Sequence, residues 1–232
     1  MLTLRRSEDR GHVDHGWLNA KHSFSFGGYH DPDHMGFRVL RVINEDVIAA
    51  GMGFATHPHR DMEILTYVIE GALQHKDNMG NGSVIRPGDV QWMSAGTGIQ
   101  HSEFNPSPDD PTHLLQIWIL PDRQGRQPDY AEKNYPEAER RDQLRLVASG
   151  DGADNSIRWG QDVRLYASVM SAGQDTALDL AAGRHAWVQV VRGVLDINGK
   201  TLGGGDGAAV SDESRLEIKI SEESEFLVFD LP

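Results

Sequence analysis

Two short segments of this chain contain the side-chain types that bind transition metals. The first holds His57 and His59, followed by Glu63, and the second holds His101 and Glu103. Residues two apart in an extended strand point to the same face of a sheet, so His57 pairs with His59 and His101 pairs with Glu103. Two such pairs on facing strands are expected to converge on a single metal ion.

The chemistry of this donor set indicates which ion it would hold. Neutral imidazoles with one carboxylate suit a first-row divalent metal better than calcium or magnesium, which prefer oxygen ligands. Iron(II) is the expected ion, with manganese, nickel, cobalt, copper or zinc as alternatives. The sequence has no cysteine, so it lacks the thiolates of many closed zinc sites. A His-x-His pair alone remains a weak signal, because such pairs also occur as solvated or hydrogen-bonding side chains.

The residues that surround the histidines carry a more specific signal. The segments concerned are Arg10-Gly-His12, His15-Gly-Trp-Leu18, His22-Ser-Phe-Ser-Phe26, Asp31-Pro32, Met35-Gly-Phe37, Leu40-Arg-Val-Ile-Asn-Glu-Asp46, Thr56-His-Pro-His-Arg-Asp-Met-Glu-Ile64, Pro87-Gly-Asp89, Met93-Ser-Ala-Gly-Thr-Gly-Ile-Gln-His-Ser-Glu103 and Gln116-Ile-Trp-Ile119. Together they resemble the two cupin motifs, and residues 1 to 120 are similar to the pirin branch of the cupin superfamily.

The resemblance implies a fold, an activity and a set of site residues. It implies an all-β bicupin of two tandem jelly-roll barrels, with His57, His59, His101 and Glu103 as metal ligands and Glu103 also as the catalytic base. In typical cupins the position of Glu63 supplies the fourth ligand, so Glu63 stays open as the rival. The implied activity is a quercetin 2,3-dioxygenase that opens a flavonol ring with dioxygen and releases carbon monoxide. The alternative is an iron-dependent redox sensor that modulates transcription factors or metabolic enzymes.

Composition limits the classes of partner. The 232 residues carry a formal net charge of −13, which opposes the phosphate backbone of nucleic acids. The first twenty residues contain no apolar run, and no stretch is long and apolar enough to span a membrane. We therefore expect a cytoplasmic monomer that binds a small aromatic flavonol and dioxygen, without a direct nucleic-acid or membrane partner, although protein partners are possible.

The chain divides at a segment rich in proline and charge. Residues 121–136 are interpreted as a linker between an N-terminal metal-binding cupin domain, 1–122, and a degenerate C-terminal cupin domain, 123–232. The second half repeats the strand and glycine-turn pattern of the first, with Gly193 and Asp206 in the places of Gly71 and Asp89. It offers only the lone His185 where the first half has a His-x-His pair, so we predict that it binds no metal.

Four further expectations concern the first half. Residues 38–43 and 47–50 are predicted as strands on either side of a turn at Asn44-Glu-Asp46. Phe24 and Phe26 are expected in the core instead of a substrate wall. His75 is predicted to be an exposed strand residue, and His113 a hydrogen-bonded residue of a sheet.

Overall fold

Nearly all the regular secondary structure of the chain is β-strand, mostly in antiparallel pairs, in a computed structural model that describes residues 1–232. The first strands are β1 (Leu2–Arg5), β2 (Gly11–Asp14), β3 (Leu18–His22), β4 (Leu40–Ile48), β5 (Gly53–His59), β6 (Glu63–Glu70), β7 (Leu73–Asp77), β8 (Gly82–Ile85), β9 (Asp89–Ser94), β10 (Ile99–Phe104), β11 (Thr112–Ile119) and β12 (Asp129–Asn134). The later strands are β13 (Arg145–Ser149), β14 (Ile157–Arg158), β15 (Arg164–Met170), β16 (Asp175–Asp179), β17 (His185–Arg192), β18 (Val194–Ile197), β19 (Lys200–Gly203), β20 (Gly207–Val210), β21 (Arg215–Ile220) and β22 (Ser224–Leu231). The helical elements are α1 (Glu137–Arg140) and two 3-10 turns, Ser7–Asp9 and Ala153–Asn155. The all-β prediction is confirmed.

One compact unit comprises residues 11–134 and 159–161. Its strands form a seven-stranded sheet, β12-β9-β6-β11-β4-β3-β2, and a four-stranded sheet, β5-β10-β7-β8. Leu18 and Ile48 of the larger sheet pack against Leu73 and Ile85 of the smaller one. The two sheets therefore bury a shared apolar interior, as the strand alternation of a sandwich or barrel requires.

The predicted turn at Asn44–Asp46 is wrong, because β4 runs without interruption from Leu40 to Ile48. Asn44, Glu45 and Asp46 pair in register with Gln116, Leu115 and Leu114 of β11. Cross-strand hydrogen bonds thus overrule the turn preference of consecutive polar residues. As a result, the side chains of Asn44 and Asp46 are buried inside the unit.

Part of the predicted linker is also structured. Residues 129–134 form β12, which pairs antiparallel with β9 at the edge of the larger sheet. Tyr130 lies opposite Met93 in this ladder, and Ser83 and Gln91 both hydrogen-bond its hydroxyl group. The composition of the segment did not reveal this strand, because an edge strand tolerates proline and charge nearby.

The other compact unit comprises residues 1–10, 135–158 and 162–232. Its sheets follow the orders β1-β20-β17-β22-β15-β13-β14 and β16-β21-β18-β19. β17 occupies the place of β6, and each strand is followed directly by a glycine with positive φ, Gly193 at 86° and Gly71 at 77°. A Cβ on Gly193 would lie 2.1 Å from the carbonyl oxygen of Glu223, so only glycine fits this turn. This correspondence supports the internal repeat.

The assignment of residues 1–122 and 123–232 as domains stays a prediction. None of the helices has the length and apolar character that crossing a membrane would require. In the second unit, His185 forms a hydrogen bond with Ser211, with Nδ1 and Oγ 2.9 Å apart.

Candidate metal centre

The histidines of the first segment lie on an edge strand of the four-stranded sheet. β5 pairs only with β10, and Pro58 separates His57 from His59 at this edge, where a missing backbone N–H is tolerated. His57 lies directly opposite His101, so the two strands are hydrogen-bonded neighbours in one sheet. The register shifts between His101 and Glu103, and a bulge of this kind re-aims side chains at a site.

The three histidine rings form a compact triangle. The ring centroids are 4.8 Å apart for His57 and His59, 4.5 Å for His57 and His101, and 4.9 Å for His59 and His101. The Nε2 atoms of His57 and His101 are 3.1 Å apart, and one nitrogen of each ring lies within 4.8 Å of the others. With metal–nitrogen bonds of about 2.1 Å, neighbouring donors lie roughly 3.0–3.4 Å apart, so the 3.1 Å separation of the His57 and His101 nitrogens matches two ligands of one divalent metal.

The protonation of the rings suits metal binding as well. Burial, assisted by the neighbouring His57, lowers the pKa of His59 to about 4. Burial also lowers the pKa of His101 well below its usual range, again assisted by His57 and His59. Both rings are therefore neutral near pH 7, as a ligand must be. The Nδ1–H of His57 donates to the carbonyl oxygen of Ala55 at 2.8 Å, which leaves its Nε2 for the metal.

The carboxylate of Glu103 lies beside this triangle and lines the same cavity. Its Oε1 accepts hydrogen bonds from Gln116 Nε2 at 2.7 Å and from the Thr66 hydroxyl at 3.4 Å. One of its oxygens lies within 4.8 Å of ring nitrogens of His75 and His101, so it groups with these two and not with the full histidine set. Burial raises the pKa of Glu103, while the hydrogen bond from Gln116 opposes the rise.

Glu63 is engaged elsewhere. Its Oε2 accepts hydrogen bonds from Trp92 Nε1 at 2.7 Å and from the backbone N–H of Gly160 at 3.2 Å, and its Oε1 accepts one from the Ser94 hydroxyl at 2.8 Å. Both oxygens are thus used within the protein, and Glu63 is not among the residues that line the cavity. The environment of Glu63 therefore favours a structural role over metal ligation.

The sequence prediction for His75 is wrong. His75 is 0% exposed and lies on the inward face of β7, directly opposite Glu103 on β10. Its Nδ1 is 3.4 Å from Nδ1 of His101, and its Nε2 is 3.2 Å from Oδ2 of Asp77. The alternation of Leu73, His75 and Asp77 was the available signal, because it places all three on one face with the core leucine.

A cavity of about 270 Å³ opens over the histidines. Phe26, Phe54, Ile64 and Trp118 form its apolar walls, and Asn44, Asp46 and Gln116 form a polar wall. The remaining lining residues are the candidate ligands His57, His59, His101 and Glu103. Phe24 is buried as predicted, but Phe26 lines the cavity, so the prediction for Phe26 is wrong. The volume is near the lower limit of about 300 Å³ for ligand pockets, which favours a compact ligand.

The polar wall contains a carboxyl group that makes no side-chain hydrogen bond. Asp46 is 3% exposed and lines the cavity from β4. Burial raises its pKa from 3.8 to about 7, and the carboxylates of Glu103 and Glu45 contribute to the rise. Asp46 is therefore a neutral acid over much of the acidic range, at a position that sequence reasoning assigned to a turn.

We expect Asp46→Asn to stabilise the metal-free protein above pH 7 and to weaken the pH dependence of its stability. Between pH 3.8 and about 7, the folded protein keeps a proton on Asp46 that the unfolded chain has already released. The contribution of Asp46 to the free energy of unfolding is complete below this range. It is lost as the pH rises through the range, by at most about 1.4 kcal/mol per pH unit. Urea unfolding at about pH 5 and about pH 8 measures the effect; an unchanged difference between the two would contradict it.

Two family models match the chain. One, described as pirin, matches residues 3–119, and the other, described as the quercetinase C-terminal cupin domain, matches residues 146–231. A quercetin 2,3-dioxygenase of Escherichia coli K12 is 47% identical over 232 residues, which cover 100% of this chain and 99% of the relative. A pirin-like protein of Caulobacter vibrioides is 41% identical over 232 residues and 99% of each chain.

A solved structure agrees with these relatives. The crystal structure of a bacterial pirin from Escherichia coli in complex with nickel(II) is 47% identical, covers 100% of this chain and 99% of that one, and superposes with a TM-score of 0.96. Two successive barrels with a histidine cluster in the first define a bicupin, as the sequence motifs predicted. Within that class, the chain belongs to the pirin family.

Proposed function

We propose that this protein is a metal-dependent dioxygenase that cleaves flavonols such as quercetin. One observation carries the proposal: three imidazoles and one carboxylate line the same small cavity, which has aromatic walls. The Escherichia coli relative of 47% identity, named quercetin 2,3-dioxygenase, supports the substrate class.

His57, His59, His101 and Glu103 are proposed to hold one divalent ion, with iron(II) as the expected metal. The nickel(II) complex of the related Escherichia coli pirin supports a divalent first-row ion. Iron(II), when bound, would polarise the flavonol hydroxyl group and supply the redox chemistry that dioxygen requires.

The walls of the cavity would orient a flat polyphenol. Phe26, Phe54 and Trp118 supply aromatic surface, and Phe26 and Trp118 pack edge to face with centroids 5.2 Å apart. On the polar wall, Oε1 of Gln116 is buried and accepts no hydrogen bond, while the amide nitrogen of Gln116 donates to Glu103. A buried acceptor without a partner is costly, so a small rotation of the Gln116 amide that lets Oε1 accept from a substrate hydroxyl would be favoured.

Glu103 is the proposed base for the flavonol hydroxyl group. The O–H bond breaks, the proton passes to the carboxylate of Glu103, and the electron pair stays on the flavonol oxygen. Burial raises the pKa of Glu103, which makes the carboxylate a better proton acceptor. The electron-rich flavonol then reacts with dioxygen, and its central ring opens with loss of carbon monoxide.

We expect protein reconstituted anaerobically with iron(II) to consume dioxygen when quercetin is added, and to release carbon monoxide. An oxygen electrode measures the uptake, and gas analysis measures the carbon monoxide. The same protein stripped with a chelator is the control and is expected to be inactive. Absence of uptake at full metal occupancy would exclude flavonol cleavage, and it would favour the redox-sensing function, tested by iron(III)-dependent partner binding.

We also propose a cytoplasmic monomer that does not bind nucleic acid directly. The net charge of −13 supports the last point, because the protein and a phosphate backbone repel each other. Light scattering after size exclusion measures the oligomeric state.

A further inference from the structure

A chain of buried polar side chains extends from the candidate metal centre into the protein. Nδ1 of His101 is 3.4 Å from Nδ1 of His75, and Nε2 of His75 is 3.2 Å from Oδ2 of Asp77. His101 is 2% exposed, His75 is 0% exposed, and the side chain of Asp77 is also 0% exposed. Neither His75 nor Asp77 lines the cavity, so this chain lies behind the proposed ligand.

The positions of the protons follow from the geometry. Nε2 of His101 is the nitrogen that faces Nε2 of His57, and a metal there would occupy its lone pair. Neutral His101 must then carry its proton on Nδ1, where it donates to Nδ1 of His75. Since that nitrogen of His75 accepts, its proton is on Nε2, which donates to Asp77. Each hydrogen bond therefore fixes the tautomer of the next ring.

Both ends of the His75 ring are held in place. Asp77 Oδ1 accepts the backbone N–H groups of Met79 and Asn81 at 2.9 and 3.0 Å, and its Oδ2 accepts the Asn81 amide at 2.8 Å. These bonds lower the pKa of Asp77 against the effect of burial, so its carboxylate stays charged. The ring of Tyr130 stacks on His75, with centroids 5.1 Å apart and planes inclined by 27°. His75 has little freedom to rotate.

We propose that His75 is a positioning residue of the metal centre, which couples the ligand His101 to the buried carboxylate of Asp77. Hydrogen bonding from Nδ1–H raises the basicity of a ligating imidazole and fixes its orientation. Here a second imidazole transmits that effect from the carboxylate. This inference rests on the proposed metal site and does not depend on the identity of the substrate.

The test compares the nickel(II) affinity of the native protein with that of two variants, by competition with a chromophoric chelator. His75→Phe keeps a flat ring against Tyr130 but accepts no hydrogen bond from His101, and we expect about 10–100-fold weaker binding. His75→Gln can accept from His101 through Oε1 and donate to Asp77 through Nε2, and we expect affinity within about threefold of the native value. The ligand-field absorption of bound nickel(II) should shift in the phenylalanine variant and stay near native in the glutamine variant.

Several outcomes would overturn the proposal. Native affinity in His75→Phe, or an equal loss in both variants, would show that hydrogen bonding through His75 does not matter. Weaker binding in His75→Gln, together with a shifted ligand-field absorption of the nickel(II) that remains bound, would make His75 a direct ligand. If the phenylalanine variant does not fold, the smaller His75→Leu replaces it.

Two controls separate this inference from the metal site itself. His113→Ala removes an imidazole of the same unit that lies outside the cavity and bonds Glu45, so its nickel(II) affinity is expected to stay native. His101→Ala tests the site: native binding in that variant would remove the metal centre on which the inference rests. If nickel(II) binding is lost in His101→Ala but unchanged in His75→Phe, the metal site stands and only the role of His75 is refuted.

Discussion

His101→Ala is expected to eliminate both metal binding and oxygen uptake with quercetin. His101 is the most enclosed of the three clustered histidines, and its Nε2 lies 3.1 Å from that of His57. Its removal deletes a donor and also breaks the link to His75. The loss of affinity should exceed the roughly 10–100-fold that removal of an outer hydrogen-bond partner costs.

His113→Ala is the matched control for this prediction. His113 belongs to the same unit but lies outside the cavity, where its Nε2 is 2.9 Å from Oε1 of Glu45. Equilibrium dialysis with iron(II) and oxygen uptake should be native in His113→Ala and lost in His101→Ala. Thermal unfolding of both metal-free variants shows that each is folded. Stoichiometric iron(II) in His101→Ala would mean that the ion binds elsewhere.

Glu103→Gln and Glu63→Gln are expected to have opposite effects. Glutamine at position 103 still accepts the hydrogen bond from Gln116 but is a poor ligand and cannot act as a base. Oxygen uptake should then fall by about 10²–10⁴-fold, with weaker metal binding. Glutamine at position 63 would leave one of three buried donors without an acceptor, at a cost of about 1–3 kcal/mol in the free energy of unfolding. Its metal affinity should stay native.

The pair is measured by iron(II) binding, oxygen uptake and urea unfolding on the same preparations. If metal binding is lost in Glu63→Gln and native in Glu103→Gln, the assignment is reversed. Glu63 would then be the fourth ligand, as in typical cupins. Loss of activity without loss of affinity in Glu103→Gln would indicate a base that is not an essential ligand.

The two carboxylates differ in their surroundings more than in their burial. Glu63 is 1% exposed and Glu103 is 4% exposed, so both are removed from bulk water. Trp92 and Ser94, which satisfy Glu63, lie on β9, and Ser94 is its cross-strand partner. Glu103 instead borders the cavity. Strand pairing therefore makes Glu63 a structural carboxylate and leaves Glu103 available for chemistry.

Local sequence determined much of this protein. The alternation of a strand places His57 with His59 on one face of β5, and His101 with Glu103 on one face of β10, whatever the rest of the chain does. Glycine is favoured where the backbone has positive φ, so Gly71 and Gly193 mark equivalent turns in the two halves of the chain. The density of motifs around these positions was enough to predict the bicupin fold and the pirin family.

Only the tertiary structure decided which other polar residues meet the site. Pairing with β11 made Asn44–Asp46 part of a continuous strand, and burial of β7 placed His75 and Asp77 behind His101. The backbone N–H of Gly160, distant in sequence, occupies an oxygen of Glu63. The physical reason is that propensity and alternation are properties of a few neighbouring residues, whereas register, burial and the satisfaction of buried polar groups depend on strands brought together from distant parts of the chain.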